Sequence, residues 1–136
     1  MAEQFKEIDS EALAQLCVQV AEARKGENIV ALKISVVSVV ADYFVICTGT
    51  STPHVGALAE WIRRKVREQT DRRPRVIAGT AESQWMVIDF GDVVVHVLSQ
   101  EARDRYQLEE LWSDAPRLEK AIVENSPKAE AADERP

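Results

Sequence analysis

An α/β fold, a mixed β-sheet of about five strands with helices packed on it, is predicted by three features of the 136-residue chain. Gln84–Gln100 reads Q-W-M-V-I-D-F-G-D-V-V-V-H-V-L-S-Q, two apolar runs flanking Gly91-Asp92, the pattern of a tight hairpin. Tyr43–Cys47 is almost continuously apolar, as expected of a strand covered on both faces. Between them Val55, Leu58, Ala59, Ile62 and Val66 recur at helical spacing. A helix crossing over from the Tyr43 strand to a short strand at Arg75–Gly79 predicts a parallel part of the sheet, and the hairpin adds an antiparallel part.

The first helix is expected over 10–25. Ser10 serves as N-cap, Leu13, Leu16, Cys17, Val20 and Ala21 form its apolar stripe, and Gly26 supplies a left-handed stop. Ile29–Val40, rich in Val and Ile, reads as a strand with a break near Ser35–Ser38. After the Tyr43 strand, Thr52 followed by Pro53 predicts the start of the second helix, with Thr52 as cap and Trp61 at the margin of the buried stripe. Ser99 caps a helix from Gln100, and Tyr106, Leu108, Leu111 and Trp112 can lay the following segment back on the sheet. Residues 1–116 are read as one domain. Residues 117–136 are read as a disordered acidic tail, because Ser126–Pro136 has no large apolar residue to offset its ordering entropy.

Within the hairpin, a turn at Gly91-Asp92 pairs Trp85 with Leu98, Val87 with His96 and Asp89 with Val94. Side-chain alternation then sorts the faces. Met86, Ile88, Phe90, Val93, Val95 and Val97 form a wholly apolar face that must be buried. Trp85, Val87, Asp89, Val94, His96 and Leu98 form a mixed face, suited to a partner, where Trp is favoured and charges are few but placed. The alternative is that helices cover both faces and Trp85 is core. The partner reading requires that the chain's own helices leave the indole uncovered.

The net charge of −6 makes a poor global field for nucleic acid. Locally, however, seven of the seventeen basic residues fall between positions 63 and 75. Arg63, Arg64, Arg67 and Arg72 are the candidates for contact with RNA phosphate, against the alternative of a solvated helix face. Cys17 and Cys47 lack metal or redox spacing and read as buried thiols. No run is long enough to span a membrane, and the N-terminus resembles neither a secretory signal nor a transit peptide.

Signs of catalysis are sparse. Gly49-Thr50-Ser51 between a strand and a helix could hold an anion, but it is neither a phosphate-binding loop nor a dinucleotide fingerprint. A nucleotidyltransferase would place paired carboxylates on the strand after the crossover helix; here that strand reads R-P-R-V-I-A-G. Cofactor and metal are expected to be absent, and His96 reads as a satisfied, partly buried histidine.

Three ordered blocks carry a resemblance. Val40–Ser51 with His54-Val55 is the first. Trp85 with Val87–Val97 is the second. Glu101-Ala102-Arg103, Tyr106–Glu109 and Leu111-Trp112 make up the third. In these the chain resembles the ribosomal silencing factor family, also called Iojap-like. The resemblance implies a nucleotidyltransferase-like fold without the metal carboxylates. It implies a cytoplasmic, non-enzymatic factor, commonly a homodimer when free. Such a factor binds ribosomal protein uL14 on the large subunit, blocks subunit joining and represses translation under nutrient limitation. Trp85 matches a family position suited to the uL14 contact; Asp89, His96 and Leu98 join it by register. Two other readings remain open. One is a nucleotide-binding enzyme using Gly49–Thr52. The other is a dimerisation or scaffold module using the mixed face.

Overall fold

The computed structural model describes residues 8–118. Helix α1 (Ser10–Ala23) leads into β1 (Glu27–Lys33), a 3₁₀ turn (Ile34–Val36) and β2 (Tyr43–Gly49). Helix α2 (Thr52–Thr70) precedes β3 (Val76–Thr80), β4 (Trp85–Asp89) and β5 (Val93–Ser99), and the short helices α3 (Gln100–Tyr106) and α4 (Leu108–Leu111) follow. The strands form one sheet in the order β1-β2-β5-β4-β3. Only β2 and β5 run parallel; every other neighbouring pair is antiparallel. The parallel partner of the Tyr43 strand is thus β5 and not the strand after α2, which crosses to the far edge.

Both long helices cover one face. From α1 come Leu13, Ala14, Cys17, Val18, Val20 and Ala21; from α2 come Val55, Leu58, Ala59, Ile62 and Val66. They meet Tyr43, Val45, Cys47, Ile88, Phe90, Val93, Val95 and Val97 in the main core. That is the apolar hairpin face predicted above, and the expected α2 stripe is buried in full. On the opposite face a smaller core joins Val30, Leu32, Phe44, Ile46 and Leu98 to Ala102, Leu108 and Ala115. It lies over β1, β2 and β5, so β3 stays exposed along its whole length.

Of the three predicted caps, Ser99 holds, accepting from the Ala102 amide at 3.0 Å, and the other two move back one residue. Asp9, not Ser10, caps α1, its carboxylate accepting from the Ala12 amide at 2.8 Å. Ser51, not Thr52, caps α2, its hydroxyl accepting from the His54 amide at 3.1 Å. Each is the extended residue that precedes the first helical turn, where a short oxygen-bearing side chain folds onto free amides. After α1 the left-handed residue is Lys25 (φ 64°), and Gly26 donates its amide to the Ala21 carbonyl at 2.8 Å. The β1 strand breaks where expected, at the 3₁₀ turn.

Of the expected tail, Arg117 and Leu118 belong to the fold. Arg117 bridges Leu32, Lys33 donates to Pro116 O at 2.8 Å, and Leu118 donates to Ala31 O at 2.8 Å. The rest of that expectation lies outside the described residues.

Candidate functional site: an aromatic row on the open sheet face

The hairpin register is the one the sequence dictates. Trp85 faces Leu98, Val87 faces His96 and Asp89 faces Val94, with Phe90 N–H donating to Val93 O at 2.9 Å and Gly91 at φ 98°. Register with β3 adds Val76, Ala78 and Thr80 to the mixed face, and register with β2 adds Phe44, Ile46 and Thr48.

A row of rings crosses this face. Tyr106 packs on Trp85 with centroids 4.8 Å apart, and Trp85 lies 6.0 Å from His96. His96 meets Phe44 edge-on at 4.8 Å, and Phe44 meets Trp112 edge-on at 5.4 Å. Tilted and edge-on geometries suit the ring quadrupoles. The Trp85 indole N–H donates to His96 Nδ1 at 3.2 Å. Nδ1 therefore carries no proton and Nε2 carries it; among the described residues, buried Nε2 has no hydrogen-bond partner. Desolvation by burial lowers the His96 pKa to about 4, against a smaller opposing effect of the Asp89 charge.

The four residues predicted for the partner contact separate into different roles. Trp85 is partly buried: α3 brings Tyr106 against it, so the indole is half covered and not left bare. Asp89 is partly buried and shapes the turn, its Oδ1 accepting from the Gly91 amide at 2.7 Å while Oδ2 reaches Arg75 at 3.5 Å. His96 is 7% exposed, a support for the indole. Leu98 is 0% exposed and cannot touch a partner, because α3 turns back from Ser99 and puts Ala102 and Leu108 over it. Tyr106, 51% exposed, takes its place at the surface. The sequence marked it as part of the segment laid back on the sheet and of the third block of resemblance, not as a contact residue.

What holds α3 and α4 in place is a residue that sequence reasoning missed. Buried Arg103 donates from Nη1 to Thr48 Oγ1 at 2.8 Å, and from Nε and Nη2 to the two Glu109 oxygens at 2.8 and 2.9 Å. This fork holds the Glu109 carboxyl below the usual carboxylate range. Glu109 lies six residues on, across the left-handed Gln107 (φ 47°), a spacing that no helical pattern reveals.

The Gly49–Thr52 turn is engaged internally. Thr50 N–H donates to His54 Nδ1 at 2.8 Å, His54 N–H goes to Ser51 Oγ, and Val55 N–H goes to Ser51 O at 2.9 Å. His54 Nε2 in turn reaches Arg24 O at 2.9 Å. Gly49 is required by packing, since a Cβ there would lie 2.8 Å from Val55 Cγ2. The Thr50, His54 and Val55 amides at this helix start are therefore already bonded within the chain. Among the described residues no three His, Cys, Asp or Glu side chains cluster as a metal site. Cys17 and Cys47 are buried, and desolvation raises both thiols, Cys47 to about 12.

Three of the four arginines predicted to meet RNA are occupied by carboxylates. Arg63 pairs with Glu60, Arg67 with Asp71 at 3.2 Å, and Arg72 with Asp92 at 2.7 Å and with Phe90 O at 3.0 Å. Arg64 instead lies over the Trp61 ring, 5.4 Å from its centroid. No helix among the described residues is long and apolar enough to cross a membrane.

Fold and face define the class: a small mixed α/β domain, one sheet face packed under two long helices, the other carrying a partly open row of aromatic rings. Comparison narrows this. The family model described as ribosomal silencing factor during starvation matches residues 7–136. A ribosomal silencing factor of Halalkalibacterium halodurans is 39% identical over 112 residues, covering 82% of this chain and 95% of that protein. A mouse protein named for mitochondrial assembly of the ribosomal large subunit is 39% identical over 74 residues, 53% of this chain and 32% of its own length. A crystal structure of a Chromobacterium violaceum protein superposes with a TM-score of 0.74 at 30% identity, covering 78% of this chain and 88% of that one. The chain belongs to the ribosomal silencing factor family.

Proposed function

We propose that this protein is a cytoplasmic ribosomal silencing factor that docks on ribosomal protein uL14 of the large subunit through the Trp85 face. By occupying that surface it keeps the small subunit from joining and damps translation when nutrients are short. Steric blocking needs occupancy alone, so the reading calls for no catalytic group and no cofactor. The observation that carries it is the half-open Trp85 indole, held by His96 and Tyr106 on the sheet face that the long helices leave uncovered. An aromatic anchor beside partly exposed apolar neighbours is the usual centre of a protein interface. Support for the ribosome comes from family membership and from the mouse relative, whose name refers to the large subunit. Opposite charge adds to it: an acidic chain meets basic ribosomal proteins with faster association and a set orientation.

The test is co-sedimentation with purified large subunits, with and without small subunits. The protein should pellet with large subunits and lower the yield of joined ribosomes. Failure to pellet, or pelleting with joined ribosomes undiminished, would overturn the reading.

A second reading concerns the free protein. The outer edge of β3 has no strand partner among the described residues, and Val76 and Ile77 are 50% and 46% exposed. Such an edge suits a homodimer. Analytical ultracentrifugation of wild type and Val76→Lys tests it: a dimer that the lysine disperses supports the edge, and a dimer left intact rejects it.

A further inference from the structure

We propose that the helical layer carries a second interface, a phosphate-binding patch centred on Trp61 that takes the backbone of RNA. Arg24, at the end of α1, lies over the Trp61 ring of α2 with its guanidinium carbon 4.8 Å from the centroid. Lys65 Nζ is 4.7 Å and the Arg64 guanidinium carbon 5.4 Å from the same centroid. Lys25 shares with Arg24 the lining of an adjoining cavity of about 540 Å³.

Like charges disperse unless something holds them together. An indole does so through its quadrupole, which attracts cations without cancelling their charge. Carboxylates do little to cancel it. Lys65 is bonded to Glu68 at 3.1 Å, Glu60 lies near Arg64 but is bonded to Arg63, and Glu27 lines the cavity beside Arg24 and Lys25. Among the described residues no carboxylate stands within salt-bridge distance of Arg24, Lys25 or Arg64. A chain of net charge −6 thus keeps unneutralised cations together at one place on its surface. The fit is to an external polyanion.

The chemistry also says which part of a nucleic acid is read. Three cations already sit over the Trp61 ring, so the indole is no free platform for a base. The patch therefore reads phosphate, independently of sequence and with strong dependence on salt. Trp61 packs on the α1/α2 side of the sheet, opposite the Trp85 face. A molecule held through Trp85 presents this patch on its other side, and the two contacts do not compete. Assigning the polyanion as RNA rests on the large-subunit reading above; the patch itself does not.

The experiment is fluorescence anisotropy of a short fluorescein-labelled RNA duplex titrated with the full chain across a salt series. Wild type should bind at low salt, equally for two unrelated duplex sequences. The double variant Arg24→Gln/Arg64→Gln should weaken binding about tenfold or more and flatten the log–log salt slope by about two. Arg67→Gln, which removes an arginine already paired with Asp71, should leave binding unchanged. Circular dichroism verifies the fold of each variant. No binding at low salt overturns the proposal, as do a double variant that binds like wild type or a polyglutamate competitor as effective as RNA. Co-sedimentation of Trp85→Ala with large subunits separates the two readings. Loss there with RNA binding intact supports two interfaces; retention there with RNA binding lost in the double variant removes Trp85 from the docking site and leaves the phosphate patch standing.

Discussion

The indole N–H of Trp85 is bonded to Nδ1 of His96 across the β4–β5 ladder, at 3.2 Å. One bond thus fixes a half-open tryptophan and a buried histidine in a single tautomer. Loss of the ring and loss of the N–H are different injuries. Trp85→Ala removes the anchor and should cost about 2–4 kcal/mol of large-subunit binding. Trp85→Phe keeps an aromatic surface but leaves Nδ1 unpaired, and should cost about 1–2 kcal/mol. Co-sedimentation measures the first and urea denaturation, as lost stability, the second, with circular dichroism to verify each fold. Full binding by a folded Trp85→Ala protein would remove this face from the docking site.

Acid should loosen the same face. Folded His96 resists protonation until about pH 4, whereas an unfolded imidazole takes its proton near 6.5. Between those values the unfolded chain binds more protons, so stability rises with pH across the window. The contribution is whole above 6.5 and is lost as pH falls towards 4, about 3 kcal/mol in full. Urea midpoints for wild type and His96→Phe between pH 7 and 4 check this: the wild type should fall more steeply.

Gly79 guards Trp85 from behind. It sits in β3 at φ 82°, and a Cβ there would lie 2.1 Å from the Trp85 carbonyl oxygen, a backbone atom that cannot yield without parting β3 from β4. Gly79→Ala should cost at least about 2 kcal/mol of stability and weaken large-subunit binding as well. Gly91→Ala, with φ 98° but nothing near its Cβ, should cost only about 1 kcal/mol. Chemical denaturation of the two variants gives the comparison.

Arg103 joins the helical flap to the sheet. Arg103→Met keeps much of the apolar stem but strands Glu109 and Thr48, and should cost about 2–3 kcal/mol, with Glu109 partly rescued by solvent. Faster amide exchange across α3 and α4 than across α2 would locate the damage. Uniform loss of protection would instead make Arg103 part of the global core.

How far the chain could be read from its sequence depends on range. Met86, Ile88, Phe90, Val93, Val95 and Val97 share a buried face because pleating and a tight turn fix register locally, and the structure keeps every pairing predicted there. Two caps slipped by one residue because Asp9-Ser10 and Ser51-Thr52 each offer two competent oxygens in succession. Leu98 was misjudged because its cover is folded back by Arg103 and Glu109, on opposite sides of a left-handed turn. The pairing of the basic cluster was hidden for the same reason. Arg63, Arg67 and Arg72 find carboxylates nearby in space, while Arg24 reaches Trp61 from another helix.

The bonds from Pro116 and Leu118 to Lys33 and Ala31 bear on how this polypeptide is best cut for expression. They shield the outer rim of β1, which would otherwise offer bare amides and carbonyls to any neighbouring molecule. A recombinant form stopped before Arg117 would lose the Leu118 packing on the main core and invite edge-to-edge clumping, whereas one carried past Leu118 retains its own shield.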